Sequence, residues 1–596
     1  MNQLEGFIKL FDIIKNDIKH PNYKRVCELA ETYEAFSTGK DLDERLEKFA
    51  SRESEDAFRE RKKITIEICS SIVANLTHIF YRVPRSNGVK TKWTISAQDK
   101  QLAFLELLDN FGFNGFTHYM EQKLKDNIEL DPNKWVVVEF LPTDGSILAQ
   151  PYPYEVDSEQ AIMFEYRNSE LLYLVDKKEI KRFNNDGIEK ECYRYTIYTK
   201  EGSIVIESLP DDHVYTQMQD WKGELTQYID VFNLKNISYQ LIVPNPYNLS
   251  VVPAKRVGYV MDKQTNGETF VNFYDIIVPF LTKMLKTNSE MDITMAKHAH
   301  MQKIQYVRKC TNTGCSCNDK GIYVIYNEDK EVKCNICQGK GYMDVTTGGL
   351  EYIYLPMPST KDEMLDLNNI VNYIALPIDQ VKMQNEYIQW LIEMCKKVMY
   401  NSDIFSKQQI SETATEKNIE MENVYDTLYP YAINYAKFYT FILTTIADIT
   451  DTEELSIQVS INKDFKLLSK TELITLLQQA STAGANELVL DAINDEIAYS
   501  FYGESTSFDK YKLMQRLLPF QNKSREQQML ILAQLDKTDP FYVSFMFGQD
   551  VLNKLEYDNA DFYLLTFERQ KALYDAEINT IASSLKVAAP ELPTFA

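Results

Sequence analysis

Five of the nine cysteines in this chain of 596 residues fall between Cys310 and Cys337. They stand as Cys310-Thr-Asn-Thr-Gly-Cys315-Ser-Cys317 and Cys334-Asn-Ile-Cys337-Gln-Gly339-Lys-Gly341. No other feature restricts the fold so sharply, because thiols that share a tetrahedral metal must be brought together by two tight turns. Cys334-x2-Cys337, with Gly339 and Gly341 behind it, makes a good second turn: glycine lets the backbone fold over a metal without a Cβ clash. The first turn is irregular, since Cys310, Cys315 and Cys317 offer three thiols for two places. The expected ligand set is Cys315, Cys317, Cys334 and Cys337, with Cys310 as the rival for one place. Four thiolates leave no open position for water, so the expected Zn²⁺ is a structural staple and not a catalyst. Between the turns, Gly321-Ile-Tyr-Val-Ile-Tyr326 and Glu331-Val-Lys333 can pair as a hairpin around residues 327–330. The competing readings are a reduced cluster without metal and a disulfide. A reducing compartment favours metal over the disulfide at such spacing.

A chain of this length divides into several domains rather than building one core. At 44% hydrophobic and 12% aromatic residues it is globular. Its net charge of −23 disfavours a generic nucleic-acid clamp, which needs clustered lysine and arginine against phosphate. The first ten residues lack the basic region and small-residue cleavage site of a signal peptide. The longest apolar stretches, near 276–285 and 438–447, are too short and interrupted to span a bilayer. A soluble protein made in a reducing cytosol, with no membrane partner, is the expectation.

Helix is expected over 3–36, with Leu4, Phe7, Ile8, Phe11 and Ile14 as its apolar stripe and Pro21 ending its first part. A charged helical face over 41–63 runs into an amphipathic helix over 64–82, and a helical pair broken near Gly112–Gly115 follows over 97–128. From Asp131 to about Val260 the pattern changes to short β-branched and aromatic runs separated by Asp144-Gly, Asp186-Gly and Glu201-Gly turns. Helix returns from Phe270 toward His300. Strands are expected at 301–308 and 348–356, on either side of the cysteine hairpin. Helices follow over 361–374, 378–399 and 411–429, with Pro430 kinking or splitting the last one before it resumes to about Ile449. Beyond Asp464 the chain reads as helical over 470–483, 486–502, 508–518, 524–535 and 567–585, punctuated by Pro519 and Pro540. The fold class is therefore α+β, mainly helical.

Catalytic signatures are missing. Thr38-Gly-Lys40 lacks the first glycine of a phosphate loop and is followed by Asp41, and neither H-E-x-x-H nor G-x-S-x-G occurs. His298 and His300, two of only six histidines, are two apart and point different ways on a helix. The expectation is a protein that is not an enzyme.

The order of elements resembles the portal proteins of tailed bacteriophages, the rings at the head-to-tail vertex. The pieces that carry the resemblance are the strand opening Asp131-Pro-Asn-Lys-Trp-Val-Val-Val138 and the Gly348-Gly…Leu-Pro356 strand. Ser411-Glu-Thr-Ala-Thr-Glu416 at the head of the long kinked helix completes them. The crAss-like phages are a candidate source. The resemblance implies a wing over 1–265 (helical to 130, β-rich over 131–260), a stem helix over 266–300 and a clip over 301–357. A second stem helix with a tunnel loop over 358–408, a long kinked helix over 409–463 and a helical wing or crown over 464–596 complete the plan. It further implies a twelve-fold homo-oligomer in the virion, assembled in the host cytoplasm, that contacts the major capsid protein. Double-stranded DNA would pass through it without sequence specificity, pumped by a separate terminase, and tail or adaptor proteins would dock on it. Lys361, Asp362, Glu363, Asp366, Asn368, Asp379, Gln380, Lys382 and Gln384 lie near the implied second stem and tunnel loop and are the candidate channel-facing residues. A zinc-bound clip departs from the family pattern.

Three rivals keep the same sequence features, one of them an enzyme of a fold that the catalytic signatures above do not cover. Lys303, Arg308, Lys309, Lys320, Lys330, Lys333 and Lys340 make the cysteine module locally basic, as in a zinc-ribbon nucleic-acid-binding protein. The remaining rival is a virion structural protein with no channel.

Overall fold

A computed structural model describes residues 3–587, apart from 141–149, 210–230, 311–320, 342–351, 357–370, 403–413 and internal stretches of at most four residues. The chain is α+β and mainly helical.

The β-rich region is built on a six-stranded antiparallel sheet. Its strands run Ala161–Arg167, Glu170–Phe183, Glu189–Tyr198, Gly202–Ser208, Ile237–Pro246 and Val231–Leu234, in that spatial order. Alternation along the second strand explains its two-sided packing. Tyr173 and Val175 face the helix Gln3–Asn16, while Leu174 faces Trp135 and Val137 on the other side. The helix buries Phe7, Leu10, Ile13 and Ile14 on the sheet. Leu4 and Ile8, expected in that stripe, are exposed at 37% and 54%. The buried face is turned toward Leu10 and Ile13 because the sheet, and not the helix alone, selects which side is covered.

The strand Trp135–Phe140 lies between Ala254–Arg256 and Pro151–Val156 in a separate three-stranded sheet. Its opening turn is held by the Asp131 carboxylate, which accepts from Asn133 N (2.9 Å), Ser158 N (2.9 Å) and Ser158 Oγ (2.7 Å). Asn133 exchanges two hydrogen bonds of 2.8 Å with the backbone of Phe270. Gly258 lies where this turn and Phe270 converge. A Cβ there would stand 2.3 Å from the Pro132 carbonyl oxygen and 2.6 Å from Phe270 Cβ.

The largest core joins segments far apart in sequence: Tyr33, Val73, Phe80, Phe111, Leu124, Tyr274, Leu281, Leu391, Leu428 and Phe438 all belong to it. Glu55–Arg82 contains one window apolar enough to cross a membrane. It is not one continuous helix: Glu55–Ile64 ends with Thr65 in extended backbone, and helix resumes at Cys69. Cys69, Val73, Leu76 and Phe80 face the protein core.

Val278–His298 and Ile378–Tyr400 pack against each other. The long helix Ala414–Ile449 runs through Pro430 without interruption. Of the expected kink or split, the split does not occur; Leu428, Tyr431, Ala432 and Tyr435 on both sides of the proline are buried in the same core. The strands Val89–Ile95 and Leu455–Ile461, neither anticipated from the sequence, pair antiparallel from Val89↔Ile461 to Ile95↔Leu455. They lock the N-terminal helices to the segment after the long helix.

The C-terminal helices build their own core from Leu513, Val543, Val551, Leu555, Phe562, Tyr574 and Ile578. Helix starts there are capped locally, by Ser469 with Glu472 and by Asn486. Pro540 opens the helix Pro540–Asp558 instead of separating two others, with Asp539 as its cap. Proline suits a first helical position because its missing N–H would have no partner there.

Candidate metal centre

The strand Gln302–Val307 is central in a small three-stranded sheet, parallel to Tyr352–Pro356 and antiparallel to Val371–Ile374. Residues 371–374 were expected to end a helix; Val-Asn-Tyr-Ile instead alternates as a strand beside Gln302–Gln305. Parallel neighbours need a long crossover between them. Residues 308–351 are that crossover, and they contain the cysteine module. The expected hairpin forms inside it, Ile322–Ile325 against Lys330–Lys333, with Ile322 opposite Lys333 and Ile325 opposite Lys330.

The hairpin ends bring the turns together. Cys334 follows the second strand directly, and its N–H donates to the Gly321 carbonyl at 2.9 Å. The Cys310 N–H donates to the Gly341 carbonyl at 3.0 Å, so the first thiol is tied to the far end of the second turn. Gly341 N–H donates to Cys337 Sγ at 3.3 Å. Donation of this kind favours the thiolate, the form that binds metal. Gly321, Gly339 and Gly341 all adopt positive φ, at 76°, 94° and 78°. At Gly321 glycine is required twice over, because a Cβ would stand 2.0 Å from the Gly339 carbonyl oxygen.

Cys310, Cys334 and Cys337 are reduced and buried, and form a small core of their own. Their sulfurs all lie within 4.8 Å of one another, and Cys310 Sγ stands 3.8 Å from Cys334 Sγ. A disulfide would hold two sulfurs at about 2.05 Å. Ligands at about 2.3 Å around a tetrahedral ion stand about 3.8 Å apart. The Cys310–Cys334 spacing is that of two corners of such a tetrahedron, so the three thiols can hold a metal ion.

Of the expected ligands, Cys334 and Cys337 are brought together, and the rival Cys310 joins them. Cys315 and Cys317 lie outside the described residues. The spacing rule singled out short Cys-x-Cys and Cys-x2-Cys pairs. It gave less weight to Cys310, whose place depends on the Cys310–Gly341 backbone bond across the module. Among the candidate channel residues, Asp379, Gln380 and Lys382 are exposed on the first turns of Ile378–Tyr400. Gln384 on the same helix is buried. Within the single chain it does not share the exposed face of Asp379, Gln380 and Lys382, because position 384 falls on the helix stripe that continues through Ile388 and Leu391 into the core. Lys361, Asp362, Glu363, Asp366 and Asn368 lie outside the described residues, as does His300.

No protein-family model and no curated protein sequence matches this chain.

Proposed function

We propose that this chain is the subunit of a ring-shaped portal at the head-to-tail vertex of a tailed-phage virion. The ring is a passive conduit for double-stranded DNA during packaging and ejection. The observation that carries this reading is the helix pair Val278–His298 and Ile378–Tyr400, packed together. Between them, among the described residues, the chain forms a small three-stranded sheet and the cysteine hairpin. A stem of two helices with a clip at its tip has that order, and the long helix Ala414–Ile449 follows where a wing helix belongs.

Charge supports the same reading. A channel built from a chain with net charge −23 would guide a duplex by repulsion and let it slide, instead of holding its phosphates. The clip would dock terminase first and tail or adaptor proteins later, while the wing meets the major capsid protein. The subunit carries out no chemical step, and the ring works in the virion after assembly in the host cytoplasm, with no membrane involved.

Within this reading the thiol cluster holds one structural Zn²⁺ through Cys310, Cys334, Cys337 and one of Cys315 and Cys317. A projecting tip has little apolar interior, and among the described residues the module's core is those three cysteines alone. A metal supplies the cohesion that burial does not.

Imaging and mass photometry of the purified chain test the proposal. A twelve-fold ring of 69.3 kDa subunits would weigh about 830 kDa and show an axial opening wide enough for a double helix. Monomers, filaments or closed assemblies would refute it. A tight, sequence-selective gel shift by the monomer would instead favour a zinc-ribbon nucleic-acid-binding protein.

A further inference from the structure

A cavity of about 700 Å³ opens between the strand Ala254–Arg256, the Arg167–Glu170 turn and the long helix near Pro430–Phe441. Three cations line it: Lys255, Arg256 and Lys437. Among the described residues none of the three forms an ion pair. The one carboxylate in the lining, Glu170, is paired with Lys200.

The arrangement around each cation shows what it lacks. Arg256 is 7% exposed, and its guanidinium lies 4.6 to 5.4 Å from the ring centroids of Trp135, Phe164, Tyr166 and Phe270. The rings take its faces and the Tyr166 side chain hydrogen-bonds it, yet its Nε and Nη1 have no hydrogen-bond partner among the described residues. A buried donor left unmade is costly, and a guanidinium edge is a preferred docking group for phosphate oxygens. Lys255 Nζ donates to the Lys437 carbonyl at 2.9 Å and lies over Phe438 and Phe441. Burial lowers its ammonium to about 8, a cost that a bound anion would reverse. Lys437 is exposed beside them. Much of the remaining wall is apolar, including Val252, Met261, Phe270 and Ile433.

We propose that this cavity binds a phosphate monoester carried on a compact aromatic or aliphatic body. The phosphate would meet Arg256 and Lys255, with Lys437 at the mouth, and the body would cover the apolar wall. Three cations favour a dianion over a single carboxylate. The site does not depend on the ring: it lies within one chain, so the binding result and the imaging result stand or fall separately.

Calorimetric titration of the full chain with phenyl phosphate tests the site, with inorganic phosphate and phenol as comparators. One saturable site is expected, at least about tenfold tighter for phenyl phosphate than for inorganic phosphate or phenol. Lys255→Met and the surface variant Lys437→Gln should each weaken it, by at least about tenfold and threefold respectively. Lys437→Gln keeps the test decisive if Lys255→Met fails to fold. No saturable binding overturns the proposal. So does binding unchanged in the folded variants, or equal affinity for inorganic phosphate.

Discussion

If the cysteine module holds the proposed zinc, replacing Gly321 by alanine should weaken that binding without touching a ligand. The added Cβ would stand 2.0 Å from the Gly339 carbonyl oxygen, 2.4 Å from its carbon and 3.0 Å from Gly341 N. Ordinary contact between such atoms is about 3.5 Å, so the second turn must retreat by about 1.5 Å. That turn carries both ends of the thiol cluster. Gly341 N–H holds Cys337 Sγ at 3.3 Å, and the Gly341 carbonyl accepts from Cys310 N at 3.0 Å. A metal site tolerates ligand distances wrong by only about 0.2 Å. The positive φ of 76° adds about 1 kcal/mol for any side chain. Together these should weaken zinc retention by about a hundredfold or more, near 2.7 kcal/mol. Gly187→Ala is the control, because its φ is 73° but nothing lies within 4 Å of the new Cβ. It should keep its metal. Elemental analysis of the wild-type chain should find about one zinc, and competition with a chromophoric chelator ranks the variants. Wild-type affinity in Gly321→Ala, or a folded wild-type chain without metal, would refute the reasoning.

Two further substitutions probe the β-rich region. Asp176 is 2% exposed; its Oδ2 accepts from Tyr154 OH at 3.1 Å and its Oδ1 has no partner among the described residues. Burial raises its carboxyl from 3.8 to about 7. Because the folded value is the raised one, the neutral acid's contribution is complete below about pH 3.8 and lost as pH climbs through about 7. Asp176→Asn should therefore be more stable than wild type at pH 8, by up to about 4 kcal/mol, with the gap narrowing at pH 4.5. Urea unfolding at both values measures it, and a gap independent of pH would be the contrary result. Gly258→Ala must push Phe270 from the Asp131–Lys134 turn, against contacts of 2.3 and 2.6 Å. It should cost about 1–3 kcal/mol, read as a lower thermal midpoint, and an unchanged midpoint would show that the turn yields freely.

Local signals were legible where the residues themselves carry them. The hairpin flanking residues 326–329 follows from alternation and turn residues, and the β-rich texture from Trp135 onward follows from β-branched and aromatic runs. The second cysteine turn follows from its two glycines. The helices after Ser469 and Asn486 start at side chains that cap them. Weak or dual signals were misread. Val371–Ile374 is too short to distinguish strand from helix by period, and Pro540 can end one helix or begin another.

By itself, the sequence determined the α+β class, the presence of a thiol module and the hairpin within it, because each depends on neighbours a few residues apart. Only the tertiary structure decided that Cys310 stands with Cys334 and Cys337, that Ile8 faces outward, and that Val89–Ile95 pairs with Leu455–Ile461. Those outcomes rest on contacts whose partners are distant along the chain. There the gain from burial and backbone pairing must exceed the entropy of closing a long loop, and no local pattern encodes that balance.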